Sequence, residues 1–247
     1  MKTESVPKLS IFETFKTKKE ELTGEALRQR SIISHLATAT NSAARTRTAI
    51  SQRIAEENGI VWKNIYSGIF RDLDEILIPL GLVREAGRLP LKRGPKALQE
   101  KGVPYYELTQ EGMLISLSLN EIIGREEILK QFFSENHIEE KEFQEILQKL
   151  SNVAPRFTYS LFEKYSKAFC DGRLEKLLPF SISKLKKISD ESILIQREFL
   201  EAFSDLSKIE KEKAISFLEN ISWKNHFKKT LGIVFQQTLK SQAKINY

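Results

Sequence analysis

The chain has 247 residues, of which 39 are Lys or Arg and 33 are Asp or Glu, so its formal net charge is +6. Hydrophobic residues make up 40% and charged residues 29%, which is typical of a globular protein of one large or two ordinary domains and excludes a disordered chain. One cysteine, Cys170, and three scattered histidines exclude an intrachain disulfide and a multi-cysteine zinc site. The apolar runs are shorter than a membrane span of about 18 residues. No secretory signal precedes them, so we expect an intracellular protein that binds no metal, cofactor or membrane.

The arginines are concentrated in the N-terminal half. Nine of the 13 lie between Arg28 and Arg93, and the segment from Ala26 to Ala55 contains five arginines and no acid. The guanidinium fork matches phosphates and guanine edges, whereas Lys is the ordinary solubilising cation. This distribution favours a polyanionic partner for the N-terminal half.

The first elements predicted along the chain are helical and follow a polar lead, residues 1–24. Apolar residues recur at helical spacing in three segments, residues 25–39, 43–57 and 62–78. Ser42 is the predicted N-cap of the second helix, and Gly59 ends it with a positive φ. Gly81 ends the third helix, and Pro79 falls in its last turn, where it removes a hydrogen bond.

A pair of strands with a basic loop follows. Leu82–Glu85 and Val103–Leu108 have strand character, and they flank a loop, residues 89–102, that is rich in Pro and Gly. Residues 97–100 are expected to form one helical turn inside this loop. Thr109 then caps a fourth helix that runs to about Ile123.

The order of helix, helix, turn, helix, strand, basic loop, strand and helix resembles a winged helix-turn-helix domain. Three motifs carry the resemblance: Ala55 and Gly59 with apolar residues at helix-turn-helix offsets, Leu73-Asp74-Glu75-Ile76 followed by Gly81-Leu82-Val83-Arg84, and Tyr106-Glu107-Leu108-Thr109-Gln110-Glu111-Gly112. The last is similar to the Y-x-L-T-x-x-G run of small transcription regulators. The resemblance covers residues 25–123, so the predicted domains are 25–124 and 125–247. The expected fold class is mainly α, a winged helix-turn-helix with a two-stranded wing followed by an all-α helical domain.

The resemblance implies a double-stranded DNA-binding protein, either sequence-specific or general, that regulates transcription in the cytoplasm or nucleoid. In such domains the third helix enters the major groove and the wing lies along phosphates or in the minor groove. The expected base-reading residues are Lys63, Asn64, Tyr66, Ser67 and Arg71. The basic wing, residues 84–102, contributes Arg84, Arg88, Lys92, Arg93 and Lys96, and the start of the second helix contributes Arg45 and Arg47 to phosphates.

Other interpretations of the same residues stay open. Winged-helix domains also serve as protein-interaction adaptors without DNA binding, and Asp72, Asp74 and Glu75 lie close to the predicted reading face. The arginines Arg28, Arg30 and Arg53 are also explained by solvated helix faces. Tyr66 is compatible with a place in the core, and Trp62 is better explained by packing at the hinge than by base contact.

The C-terminal half, residues 125–247, resembles no motif and has few helix breakers. The predicted helices are residues 125–135, 138–152, 156–170, 173–178, 190–206, 208–221 and 223–243. Its aromatic residues suffice for a core of its own, and we expect it to form a homodimer or to bind a protein partner or effector. No nucleotide-binding or hydrolase motif is present, so we expect no catalytic activity.

Overall fold

The computed structural model describes residues 7–59, 61–90, 102–134 and 141–221, with only the backbone described for Trp62, Asn64 and residues 219–221. Two expectations therefore lie outside the described residues, the helical turn at 97–100 and the last helix at 223–243. The chain divides into two compact units, residues 1–188 and residues 189–247.

The first part of the larger unit alternates helices with one hairpin. A short 3-10 turn, Ser42–Arg45, precedes the second helix, and a π-helical segment, Asp72–Leu77, continues the third. The regular elements are α1 (Gly24–Thr38), α2 (Arg47–Asn58), α3 (Trp62–Arg71), β1 (Val83–Leu89), β2 (Val103–Leu108) and α4 (Gln110–Leu117).

Helices alone follow in the described remainder of the chain. They are α5 (Arg125–Ser134), α6 (Lys141–Val153), α7 (Pro155–Cys170), α8 (Ile182–Ile188), α9 (Glu191–Asp205) and α10 (Lys208–Ile221). Within the described residues there are thus ten α-helices and one two-stranded antiparallel sheet. The prediction of a mainly α fold with a hairpin after the early helices is confirmed.

The second strand of the hairpin, β2, is bridged to the segment that precedes α2. β1 and β2 pair from Val83 with Leu108 to Leu89 with Val103, and the register shifts between Glu85 and Gly87. An isolated antiparallel bridge also links Thr46, just before α2, to Tyr105 in β2. The hairpin is consistent with a wing, and its first strand is longer than the predicted Leu82–Glu85.

One predicted helix start in this region was wrong, and one predicted helix was found with an unexpected geometry. Ser42 is not the cap of the second helix, because Asn41 Oδ1 caps the 3-10 turn through Ala44 N at 2.8 Å and Thr46 Oγ1 caps α2 through Ala49 N at 3.3 Å. The helix predicted at about 62–78 is confirmed in extent, from Trp62 to Leu77, and its last part, Asp72–Leu77, is π-helical. Pro79 has no N–H to continue the helical ladder, so the chain turns there.

Three further predictions were wrong in the helical region: the end of one helix, the presence of a second and the absence of a third. The fourth helix ends at Leu117 rather than Ile123, and Leu119 and Ile122 are buried in the turn that follows. Residues 173–178 are not helical, because Leu174 and Leu177 are drawn individually into the core before the cis Leu178–Pro179 bond. The helix α8 was not predicted. Tertiary burial overrides the local preference for helix in such short segments.

One hydrophobic core runs through the larger unit, from Leu9 to Ile188. α1 contacts α2, α3, α4 and β2, while α4 also contacts α5 and α7. Leu9 and Ile11, in the predicted polar lead, are buried in this core. The division into domains at residues 124–125 stays a prediction, and the core is continuous across it.

The smaller unit, in its described part, consists of α9 and α10. Asp190 caps α9 by accepting a hydrogen bond from Ile193 N at 3.3 Å. No residue of α9 is buried, and the rings of Phe199 and Phe203 stack with centroids 5.7 Å apart.

The close packing of α4 against the turn before β1 requires a glycine at position 112, three residues after the cap Thr109. The Thr109 hydroxyl donates to the carbonyl of Gly81 and accepts a hydrogen bond from Gly112 N at 3.1 Å. These bonds hold the turn before β1 against α4, so a Cβ on Gly112 would lie 2.0 Å from the carbonyl oxygen of Leu82. Only glycine permits this approach between α4 and the start of β1.

A buried ion pair connects α1 to the third helix. Asp72 is fully buried, and its carboxylate accepts from Arg28 Nε at 2.9 Å and from Nη2 at 3.4 Å. The guanidinium reaches this position over Gly68, where a Cβ would lie 2.9 Å from Arg28 Nε. A carboxylate without solvent needs such a partner, since an unpaired buried charge costs several kcal/mol.

We expect Gly112→Ala to lower the free energy of unfolding by about 2–3 kcal/mol, because the added methyl displaces backbone rather than a flexible side chain. Glycine-to-alanine exchange inside a helix is otherwise stabilising by up to about 1 kcal/mol. Gly24→Ala in α1 is the matched control, since its Cβ would meet only Arg28 Nη1 at 4.0 Å. Urea denaturation followed by circular dichroism measures both, and equal effects would contradict the close approach at Gly112.

We expect Arg28→Met to lower the free energy of unfolding by about 3 kcal/mol, because it leaves the buried Asp72 carboxylate without its main partner. Adding Asp72→Asn removes the orphaned charge and should recover at least half of the loss. The double-mutant cycle measured by urea denaturation gives the coupling. Additive effects of the two substitutions would show that the pair is not coupled.

Candidate nucleic-acid interface

The outer face of α3 presents three polar side chains to solvent. Lys63, Ser67 and Arg71 are all exposed and follow one another at intervals of four residues, so they lie on the same side of the helix. Ile69 and, in the π-helical segment, Leu73 are fully buried on the opposite side. The helix therefore packs through its apolar side and leaves a polar stripe available. We call Lys63, Ser67 and Arg71 the α3 stripe.

Arg71 is the most loosely held arginine of this region. Its side chain is 51% exposed, and Nη2 lies 3.8 Å from Glu25 Oε2 and 3.6 Å from Asp72 Oδ1. Both distances exceed the roughly 2.7–2.9 Å of a charge-assisted hydrogen bond. Exposed ion pairs of this kind contribute little, so the guanidinium can exchange them for another acceptor.

Of the two other predicted base-reading residues, Tyr66 packs against its own helix. It is half-buried, and its ring centroid lies 4.3 Å from that of Phe70. This placement agrees with the core interpretation of Tyr66 as well as with a partly accessible ring. The Asn64 side chain lies outside the described atoms.

Arg47, predicted to contact phosphate, lies at a junction of three elements. It stands at the start of α2, forms an ion pair with Asp74, and its guanidinium lies 4.6 Å from the Phe70 ring centroid and 5.2 Å from that of Tyr106. Its Nε is buried without a hydrogen-bond partner among the described residues. The side chain thus connects α2, α3 and β2. Burial raises the pKa of the Tyr106 hydroxyl, and the neighbouring Arg47 opposes this shift.

Arg45 is also engaged within the protein. Its Nε donates to the carbonyl oxygen of Ala39 at 3.0 Å, which satisfies a backbone acceptor just after the end of α1. The side chain is half-buried. Its predicted role as a phosphate contact stays a prediction, as does that of Arg47.

The two described arginines of the hairpin form exposed ion pairs. Arg84 Nε donates to Glu107 Oε1 across the strands at 2.8 Å, and Arg88 Nε donates to Glu85 Oε1 at 2.6 Å. Both arginines remain exposed, so neither pair is held by burial. The predicted wing residues Lys92, Arg93 and Lys96 lie outside the described residues.

The acid-free run of arginines in the sequence is neutralised by acids from elsewhere in the chain. The ion pairs are Arg28 with Asp72, Arg30 with Glu121, Arg47 with Asp74 and Arg53 with Glu57. Three of these acids lie 27, 44 and 91 residues from their arginines, so a local charge count could not detect those pairs, whereas Arg53 and Glu57 are an i, i+4 pair of one helix. Of Arg28, Arg30 and Arg53, only Arg53 has the exposed side chain expected of a solvated helix face.

Glu121 shows the strength of one of these pairs. Burial acts to raise the pKa of its carboxyl group, but hydrogen bonds from Arg30 at 2.6 and 2.8 Å hold that pKa below its ordinary value. The pair joins α1 to the turn after α4. The sequence does not indicate this pair, because 91 residues separate Arg30 from Glu121.

The described residues contain no group of three or more His, Cys, Asp or Glu side chains placed to hold a metal ion. Cys170 is a free thiol, and burial raises its pKa to about 12, so the thiol is protonated at neutral pH. Among the described helices none is long and apolar enough to cross a membrane.

We expect Arg47→Ala to lower the free energy of unfolding by about 1–3 kcal/mol, because it removes contacts with two aromatic rings and leaves Asp74 without its partner. Arg47→Lys should not restore the loss, since a compact ammonium cannot lie flat across both rings. Arg53→Ala is the control, as an exposed arginine of the same helix, and should change stability by less than about 0.5 kcal/mol. Equal losses on urea denaturation would contradict the junction role.

Comparison with known proteins adds no family to this geometry. No protein-family model, no curated protein and no solved structure matches the chain. The resemblance to winged helix-turn-helix domains therefore rests on the order of the elements and on the motifs quoted from the sequence.

Proposed function

We propose that the protein binds double-stranded DNA and regulates transcription, with α3 in the major groove and the β1–β2 hairpin against the phosphate backbone. The observation that carries the proposal is the α3 stripe. Lys63, Ser67 and Arg71 stand exposed on the third helix of a three-helix array that is followed directly by an antiparallel hairpin.

The order of elements supports a winged helix-turn-helix. α1, α2 and α3 precede the hairpin, and Gly59 has a φ of 63° in the turn between α2 and α3. The isolated bridge from Thr46 to Tyr105 attaches the segment between α1 and α2 to the edge of the two-stranded sheet. The order helix, helix, helix and two strands is what the proposed domain requires.

The chemistry of the α3 stripe suits base edges. Arg71 can donate two parallel hydrogen bonds to guanine, Ser67 can bond to several bases, and Lys63 can reach guanine or a phosphate near the start of the helix. A ten-residue helix is about 15 Å long, and the major groove is about 12 Å wide. The stripe is therefore of the right length to read a few consecutive base pairs.

A protein-interaction adaptor is the second candidate, and the ion pairs favour it. Each of the eight described arginines before residue 90 has an acid or a backbone carbonyl as partner. Asp74 and Glu75 are exposed at the end of the same helix, where they would repel phosphates. An adaptor would bind its protein partner at high salt and would ignore DNA.

For the wild-type protein we expect duplex binding whose log K falls linearly with log salt concentration, by about 0.9 for each phosphate contacted. Selection from a random duplex pool followed by sequencing identifies the preferred site. Arg71→Ala should reduce discrimination at one position by about 1–3 kcal/mol, whereas Arg88→Ala should weaken all duplexes alike.

Arg53→Ala is the matched control, because it removes one exposed arginine outside the α3 stripe and the hairpin. No binding of the wild type at about 50 mM salt would reject the proposal and leave the adaptor. Equal effects of Arg71→Ala and Arg88→Ala on every sequence would reject the groove assignment alone.

A further inference from the structure

A second concentration of positive charge lies in the helical part of the larger unit. Residues 176–188 contain four lysines and no Asp or Glu. Three of them, Lys176, Lys186 and Lys187, are exposed, and Lys184 is half-exposed. We call these four residues the α8 patch.

The α8 patch is held together by backbone and helix geometry. Lys184 Nζ donates to the carbonyl oxygen of Lys176 at 3.1 Å, which places the turn at 176 beside α8. Lys187 follows Lys184 by three residues and so lies on the same side of the helix, whereas Lys186 follows it by two residues and projects from the other side. Lys176, Lys184 and Lys187 therefore share one surface, and Lys186 extends the positive charge round the end of α8.

This patch differs from the arginine-rich region in how its charge is compensated. The arginines before residue 90 have acid or carbonyl partners, whereas Lys176, Lys186 and Lys187 form no ion pair with any residue that the structure describes. Attraction to the end of a helix accounts for lysines in its last turn. It does not account for Lys176, which lies upstream of α8.

The surroundings of the patch point to the class of its ligand. Leu174, Leu177, Phe180 and Ile188 are buried, while Leu178, Ile182 and Leu185 are half-buried. No large apolar side chain of residues 174–188 is exposed, so the surface offers positive charge without an exposed apolar anchor. Protein interfaces depend on buried aromatic or aliphatic anchors. Binding to a nucleic-acid backbone depends on phosphate neutralisation alone.

We propose that the α8 patch is a second phosphate-binding surface that holds the backbone of duplex DNA independently of base sequence. This inference rests on the proposed function, because the ligand of the α8 patch is the same double-stranded DNA. It assigns the sequence-independent part of the affinity to lysines of the helical region, in addition to any contribution from the hairpin.

The test is the triple variant Lys176→Gln, Lys184→Gln and Lys187→Gln in the full chain, which removes the three lysines that share one surface. Its slope of log K against log salt concentration should be smaller than that of the wild type by about 2–3, since each lost phosphate contact removes about 0.9. Its sequence preference in the random duplex pool should not change. The matched control is Lys16→Gln, Lys130→Gln and Lys149→Gln, which removes three exposed lysines of the same unit and should leave the slope nearly unchanged.

The outcomes separate the two proposals. If the wild type binds duplex and the triple variant keeps its slope, the α8 patch is wrong and the proposed function stands. If the triple variant loses binding while Lys63→Ala and Arg71→Ala have no effect, the patch stands and the groove assignment is wrong. Loss of slope by the control variant to the same extent overturns the patch as a specific surface, and no duplex binding by the wild type overturns both proposals.

Discussion

The ion pair between Arg28 and Asp72 is the constraint on which the N-terminal architecture depends. A fully buried carboxylate in the middle of the third helix can be tolerated only if a cation is delivered to it. That requirement fixes the distance and rotation of α1 against α3, and it requires a residue without a Cβ at Gly68. Lys63 and Ser67 of the α3 stripe are then presented to solvent, and Arg71 lies at the edge of the ion pair, with Nη2 3.6 Å from Asp72 Oδ1. The position of the candidate reading face thus follows from a contact on the buried side of the helix.

The elements of this fold differ in how well the sequence predicts them. Hydrophobic periodicity sufficed for α1 and for most helices after residue 125, because the apolar residues of an amphipathic helix mark its buried side directly. The hairpin followed from two segments with strand character on either side of a loop rich in Pro and Gly. The caps at Thr109 and the positive φ at Gly59 followed from simple turn chemistry. Short segments such as 173–178 failed, because single buried leucines decide their path and leave no periodic signal.

The candidate site was only partly predictable for a related reason. The exposed members of the α3 stripe followed from helical spacing, but the pairing of Arg30 with Glu121 and of Arg47 with Asp74 depends on residues that are distant in sequence. Sequence charge therefore overstated the free positive surface near α1 and α2. The four lysines of residues 176–188 are visible in the sequence as an acid-free segment, but their exposure follows only from the structure.

The attachment of the hairpin has a consequence for the kinetics of recognition. β2 is tied to the start of α2 by the Thr46–Tyr105 bridge and by the guanidinium of Arg47 over Tyr106, and the same guanidinium lies over Phe70 of α3. The base of the hairpin is thus held against both α2 and α3. A surface assembled before the encounter loses little conformational entropy on binding. Its rate of association is then limited by diffusion and orientation rather than by a folding step. If the proposed duplex binding holds, differences in affinity between duplex sequences should accordingly reside mainly in the dissociation rates of the complexes.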